Sequence, residues 1–437
     1  MSAPEIASHP HRHDHGLRQG SGRAWSVAAG LIAALVLLPV GTVIWLALNP
    51  SENIWPHLMA TVMPRYLMNT AILAAGTGML AAAMGAGAAW LVSLYDFPGR
   101  RLLEWALLLP LAVPAYIGAY ALADFLDYSG PVQMALRGWF GWASARDYWF
   151  PQVRSLEAAI LVMAAANFPY VYLLTRAALH EQSGGAYEVA RALGTGGWGL
   201  FRRVGLPLAR PAIVAGSAIA MMEAVADYGV VSYFGVQTLN TGIFTTWLER
   251  RNAGGAAQIA CVILLVVMIL ALWERFGRRN ARYSPSARQP RPILRQPLRG
   301  PAAAGASIAC FIPFALGFIL PVGVILNYAL AYPQGWITPG LARAAWHTIT
   351  LGATASVLTV LLALVMVYGV RLSGRALPRL LMPVTTIGYA APGAVLAVGI
   401  LFPLAALDHR LADGWLALTG TDPGLILTGS GAAIVLA

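Results

Sequence analysis

The sequence contains no lysine: all 29 basic residues among its 437 are arginine. A Walker A motif needs a lysine on the nucleotide phosphates, so the chain has no such P-loop of its own. A lysine Schiff base is excluded for the same reason. Charge of either sign is scarce. Charged residues make up 11% of the chain, against about 25% in an ordinary soluble domain. Hydrophobic residues make up 58%. So long a chain with so little polar material cannot build a water-facing surface, and the expected fold is an all-α polytopic membrane protein. There are two cysteines, Cys261 and Cys310, both inside apolar runs, which implies no disulfide framework. No G-x-S-x-G, H-E-x-x-H or C-x-x-C motif is present. Catalytic residues, a metal site and a cofactor are therefore not expected.

The net charge of +11 would suit nucleic acid if it formed one patch. Its distribution points to membrane topology instead. Residues 1–23, 95–101, 176–210, 274–300 and 371–379 hold 21 of the 29 arginines. Basic loops of this kind stay in the cytoplasm, which places the N-terminus there and residues 127–155 outside. Trp139, Trp142 and Trp149 in that outer segment read as interfacial anchors. The partner implied is membrane lipid, not nucleic acid.

Residues 1–23 form a polar tail with His9, His11, His13 and His15 on alternate positions. It reads as a solvated terminus rather than a metal-collecting one. The apolar run 24–48 is too long for a signal-peptide core and is expected to remain as an anchor. Further spans are expected at 66–94, 102–125, 156–179, 211–234 and 255–273, each long enough to cross about 30 Å of hydrocarbon. Pro110 and Pro114 should kink the third. Residues 274–300, with eight arginines and four prolines, read as a solvated linker. Spans resume at 302–330, 344–370 and 380–407, and another begins near 424. His57, His180, His347 and His409 are isolated and read as interface residues.

An internal repeat is visible. Asn69-Thr70 recurs as His347-Thr348, and Pro114-Ala115 as Pro392-Gly393, both at an offset of 278. The expectation is two homologous six-helix halves. The first covers 24–273, the second 301–437, and the second is expected to be truncated in its fourth span.

The polar stretch 187–207, YEVARALGTGGWGLFRRVGLP, interrupts the apolar pattern. Helix-forming residues run to Leu193, and Gly194 to Gly197 should end that helix. Glu188 lies near the helix N-terminus, where a carboxylate is favoured, and sits three residues from Arg191, within pairing distance. Ala190 and Ala192 are small enough for a partner surface to approach closely. Arg202, Arg203 and Arg210 supply charge for acidic partner groups or lipid phosphates. A second helix from Trp198 should run to the boundary at Pro207/Pro211.

The spacing of Glu188, Ala190, Gly194, Val204, Leu206 and Pro207 resembles the coupling loop of ABC-importer permeases, E-A-A-x3-G-x9-I-x-L-P. Val189 and Val204 depart from it conservatively. The resemblance implies a type I permease fold in a bacterial inner membrane, with ATP hydrolysis on a separate chain. Two ATPase subunits would grip coupling helices, this one through Glu188, Ala190, Arg191, Gly194, Leu206 and Pro207. A periplasmic binding protein would deliver substrate.

Within the fifth span, Glu223 and Asp227 lie four residues apart on one expected helix face. Intramembrane carboxylates are costly and suggest function. They would line a cation path together with Tyr228, or pair structurally with backbone groups or arginines. The pattern Glu-x3-Asp-Tyr-Gly followed by Tyr-Phe-Gly-Val, with Tyr389 to Gly393 in the second half, is similar to the permeases of ferric-iron ABC importers of the Fbp/Sfu type. That resemblance implies Fe3+ import by alternating access. Permeases for thiamine, polyamines and phosphonates share the architecture and are the alternatives. From another class, an ion-coupled secondary transporter would use Glu223 and Asp227 as carriers.

Overall fold

The structure is a computed structural model describing residues 18–181, 185–279, 294–372, 376–385 and 391–436. The four histidines of the tail, most of the linker (280–293), Tyr389 and Ala390 lie outside the described residues. Helices dominate, as an apolar chain in lipid requires, because every backbone group must be satisfied within the protein. In chain order they are α1 (Arg18–Leu48), α2 (Trp55–Thr61), α3 (Met63–Leu94), α4 (Arg100–Ala106), α5 (Ala115–Leu126), α6 (Pro131–Phe140), α7 (Leu156–Glu181) and α8 (Gly185–Ala192). They continue as α9 (Gly197–Leu200), α10 (Leu206–Ala226), α11 (Gly229–Tyr233), α12 (Leu239–Phe244), α13 (Ala253–Arg279), α14 (Pro301–Phe314) and α15 (Leu320–Ala331). The last described are α16 (Pro339–Leu372), α17 (Ala376–Thr385), α18 (Gly393–Thr419) and α19 (Gly431–Leu436).

Among the described residues, eight helical stretches are long and apolar enough to cross a membrane, and a ninth is broken. The broken one is the third expected span. It turns by 99° between Ala112 and Ala115, where Pro114 cannot continue the helix behind it. Pro114 instead starts α5, its carbonyl accepting from Ile117 N at 2.9 Å. The repeat predicts the same event at Pro392, and there Val395 N donates to the Pro392 carbonyl, also at 2.9 Å.

The fifth span differs from expectation. A continuous helical run crosses Pro207 and Pro211, from Gly197 to Ala226, and stops well before Phe234. A π-helical turn at Phe201–Gly205 makes this possible. Leu206 N reaches back five residues to the Phe201 carbonyl, and the widened turn relieves the clash of the following proline with the carbonyl four residues back. The same device precedes Leu320-Pro321, after the π turn Ala315–Ile319.

The chain forms two compact units: Val43–Leu341 with Ala391–Val398, and Met1–Thr42 with Ala342–Ala390 and Gly399–Ala437. These units and the sequence halves are different partitions. The run 301–341 groups with first-half helices, and most of α1 with second-half ones. In the smaller unit, Asp408 is buried and its carboxylate accepts from the amides of Ile426, Leu427 and Thr428. It thereby folds the segment after α18 back onto that helix.

The core of the larger unit is the triangle of α3, α7 and α10. Lipid tails are as apolar as leucine, so close packing rather than water exclusion must hold these helices together. Small residues permit it. A Cβ on Gly85 would lie 2.7 Å from the Phe168 carbonyl oxygen, and one on Gly216 would lie 2.6 Å from Val171 Cα. Both α3 and α10 thus meet α7 backbone to backbone around Val171. Gly85→Val should destabilise the purified chain by about 1–3 kcal/mol. Gly87→Val, two residues on, where nothing lies within 4 Å of the added carbon, should change little. Thermal unfolding in detergent, followed by circular dichroism, compares the two.

Candidate functional site

The stretch resembling a coupling loop is a helix, a stop and a second helix. The stop falls at Gly194, as the sequence predicts. Gly194 has φ +79°, a left-handed conformation that costs a residue with a Cβ about 1 kcal/mol. Thr195 N donates to the Ala190 carbonyl at 3.1 Å and Gly194 N to the Arg191 carbonyl at 2.9 Å. This is a Schellman cap, which satisfies the last free carbonyls of α8. The chain leaves Gly196 extended and re-enters helix at Gly197.

One face of this element is rooted and the other is free. Tyr187 is 1% exposed, whereas Val189, Leu193 and Trp198 are 61%, 79% and 73% exposed. The root is Trp90 near the end of α3. Its ring meets Phe201 at 5.2 Å, Tyr187 at 6.1 Å and Tyr95 at 6.5 Å between centroids, all edge to face. Edge-on contacts of this kind add about 0.5–1.5 kcal/mol each beyond the area they bury. Burial among these groups pushes the Tyr187 phenol up to about 12. Gly205 completes the seat: a Cβ there would fall 2.0 Å from the Trp90 ring. The unspecified position between Val204 and Leu206 is therefore filled here by a residue the indole requires.

The other expected coupling residues divide. Glu188 is half-buried in the first turn of α8. Its anticipated pairing with Arg191 is absent among the described ion pairs. Arg191 turns the other way and donates to the Leu294 carbonyl at 3.2 Å. Ala190 packs partly against the core, so the open small residue is Ala192. Leu206 and Pro207 are exposed on the helix entering the membrane.

Leu294 belongs to the end of the expected linker, and that end is held. Gln296 and Pro297 pair in parallel with Tyr95 and Asp96, and Leu298 N donates to the Asp96 carbonyl at 2.9 Å. The linker is solvent-exposed there, as expected, but tied to the first half. Beside it lies an ionic cluster that the sequence reading missed. Arg100 bonds Asp96 at 3.2 Å and Glu104 at 2.9 Å, and Arg176 of α7 also pairs with Glu104. An apolar run conceals Glu104; its partners come from 72 residues away and from one turn back.

Glu223 and Asp227 do not share a helix face as expected. Helix α10 ends at Ala226, and Asp227 is extended. Asp227 Oδ1 accepts from Val230 N at 2.7 Å, which caps α11. Asn240 donates to the Ala226 carbonyl at 2.6 Å and closes the same corner. The intramembrane carboxylate thus has a structural use that sequence spacing cannot reveal. Tyr228 packs against Phe244, centroids 4.1 Å apart and rings tilted by 40°, and is 40% exposed. Among the described residues, no three of His, Cys, Asp and Glu gather as metal ligands.

A cavity of about 940 Å3 opens at the other end of the bundle, some 39 Å from the coupling stretch by the length of the 26-residue α7. Tyr120, Asp124, Asp127, Arg154, Tyr233 and Tyr328 are among its lining. None of these was singled out from sequence, since they come from four separate segments.

Residues 74–282 match the family described as "Binding-protein-dependent transport system inner membrane component". The chain is 28% identical over 200 residues to the molybdenum transport system permease protein ModB of Escherichia coli (strain K12), covering 44% of this chain and 84% of that one. It is 30% identical over 204 residues to the sulfate transport system permease protein CysT of the same strain, covering 44% and 69%. It is 24% identical over 348 residues to the Fe(3+)-transport system permease protein FbpB 2 of Haemophilus influenzae, covering 78% and 63%. With its apolar helices and these relatives, the chain belongs to the binding-protein-dependent inner-membrane permeases of ABC importers.

Proposed function

We propose that this chain is the permease subunit of an ATP-driven importer that moves ferric iron across the inner membrane by alternating access. A loaded periplasmic binding protein docks on the side of residues 127–155. Two ATPase subunits, carried on separate chains, act on the side of the arginine-rich loops, which is the cytoplasm and holds the N-terminus. The exposed apolar face of α8 and α9 carries this reading. Val189, Leu193 and Trp198 present a surface a partner groove would cover, on an element that Trp90 fixes to the α3 span. Glu188, Arg191, Leu206 and Pro207 frame that face, and Gly194 sets the angle between its helices. Push on the face and the load passes through Trp90 and Gly205 into α3 and α10.

For the substrate, the iron relative supports the proposal by extent. Its similarity runs over 78% of this chain, into the second half, while the molybdenum and sulfate relatives cover 44%. The sequence from Glu223 to Val236 adds to it. The second reading is an oxyanion permease, favoured by the higher identities of the molybdenum and sulfate relatives. An ion-coupled secondary transporter is less supported, because Asp227 is engaged as a helix cap.

Cells with and without the gene separate the substrates: labelled Fe3+ uptake should depend on it and labelled molybdate uptake should not. The reverse result would install the oxyanion reading. Coupling is tested by Leu193→Asp, which should abolish uptake while the chain remains in the membrane at its normal level. Gly194→Ala should weaken uptake severalfold, in line with a helix-stop cost of about 1 kcal/mol. Trp90→Ala should leave ATP hydrolysis by the assembled complex running without matching transport; normal transport per ATP would count against the indole as the mechanical link.

A further inference from the structure

The cavity facing away from the coupling stretch is organised around one acidic group. Asp124, near the end of α5, accepts a hydrogen bond from Tyr328 Oη of α15 at 2.7 Å. The Tyr120 ring lies 6.3 Å from that of Tyr328 and 6.2 Å from that of Tyr233, so three phenol rings line the cavity in series, that of Tyr328 bonded to the carboxylate. The second lining carboxylate, Asp127, lies 4.0 Å from Arg154. Arg154 also sits over the Tyr233 ring, 5.4 Å from its centroid. The guanidinium that lines the cavity among the described residues is therefore shared between a carboxylate and an aromatic face. Asp124 has no ion-pair partner among the described residues.

These groups discriminate by charge. An arriving oxyanion would meet the unpaired Asp124 carboxylate and would have to compete with Asp127 for Arg154. A cation meets a free negative charge, a phenol oxygen already aimed at it and aromatic faces around it. Carboxylate and phenolate oxygens are hard donors, suited to small, highly charged metal ions and not to soft ones. The volume is far larger than a bare ion needs, which leaves room for a metal that still carries water or a small chelator.

We infer that this cavity is a receiving station for a hard trivalent metal ion, with Asp124 and Tyr328 as its first oxygen ligands and Tyr120 within reach. The inference rests on the ferric reading above and adds the residues that would hold the cargo. On binding, the metal takes the place of the proton between Tyr328 Oη and Asp124 Oδ1. One metal–oxygen bond forms at the phenol, its O–H bond breaks, and the proton leaves to water; no electron moves. Two or three ligands make a weak site, and a transport path requires this, because cargo bound too well would not leave.

Two measurements test it. In cells carrying the complete transporter, labelled Fe3+ uptake is compared for the unaltered chain, Asp124→Asn and Tyr328→Phe, with membrane levels measured alongside. Loss of one charged ligand should lower uptake at limiting Fe3+ about tenfold, and the tyrosine variant should fall in the same direction. Full uptake by both variants overturns the station. If the unaltered chain itself shows no gene-dependent Fe3+ uptake, the ferric reading fails, whatever the cavity does. In the second measurement, the purified full chain is titrated with Tb3+ and tyrosine-sensitised emission is read. Saturable emission, displaced by Ga3+ and shifted about tenfold to higher Tb3+ in Asp124→Asn, supports the site independently of transport. Emission indifferent to Asp124→Asn and Tyr328→Phe removes it.

Discussion

The indole of Trp90 rests on Gly205, and the working end of the molecule depends on that contact. It can exist only where residue 205 has no side chain, since a single added carbon would fall 2.0 Å from the ring. Around it Phe201, Tyr187 and Tyr95 close edge to face. Four segments meet at this point: the end of α3, the strand after it, the coupling helix and the start of α10. A surface helix of eight residues is marginal alone. Joined to two membrane spans through one aromatic ring, it is held in place by tertiary packing.

The same economy of side chains governs the bundle. A bilayer gives helices no hydrophobic reason to associate, so α3, α7 and α10 approach through glycines until backbone meets backbone. Polar links appear where the helices end. Glu104, Arg100 and Arg176 tie one end of the bundle. At the other, Asn69 donates to the Gln237 carbonyl at 2.8 Å and Thr70 accepts from Leu239 N at 3.0 Å, fixing the irregular corner after α10. Dry helix packing in the middle and hydrogen-bonded ends hold the bundle together as one body.

Much of this was legible in the sequence. Apolar run length gave most of the spans, though the expected 211–234 and 380–407 are shifted to Gly197–Ala226 and Gly393–Thr419; proline placed the break in the third, and the 278-residue repeat placed the matching helix start at Pro392. Gly194 announced a helix stop, and the backbone confirms it. Other features were opaque for physical reasons. Pro207 looked like a helix boundary, because the rule against interior proline assumes α-helical spacing; the π turn at Phe201–Gly205 evades it. Asp227 looked like half of a carboxylate pair, because spacing counts residues and cannot see that the helix ends one residue earlier. Arg191 looked like a partner for Glu188, yet a carbonyl 103 residues away in sequence takes it. The cavity was invisible, since Tyr120, Asp124, Tyr233 and Tyr328 carry no local pattern and only the packing of α5, α11 and α15 assembles them.

The two Leu-Pro joints have a further consequence. An ordinary helix resists bending because bending stretches a bond between turns. At Pro207 and Pro321 there is no amide hydrogen, so no such bond exists to stretch, and the wider turn just before each has already absorbed the misfit. Flexing there breaks nothing that the next turn must re-form. One joint lies beside the coupling element and the other inside the run from Pro301 to Ala331 whose far end supplies Tyr328. Each of these two segments, the one that follows α9 and the one that reaches Tyr328, thus carries a point where its own covalent chemistry permits bending.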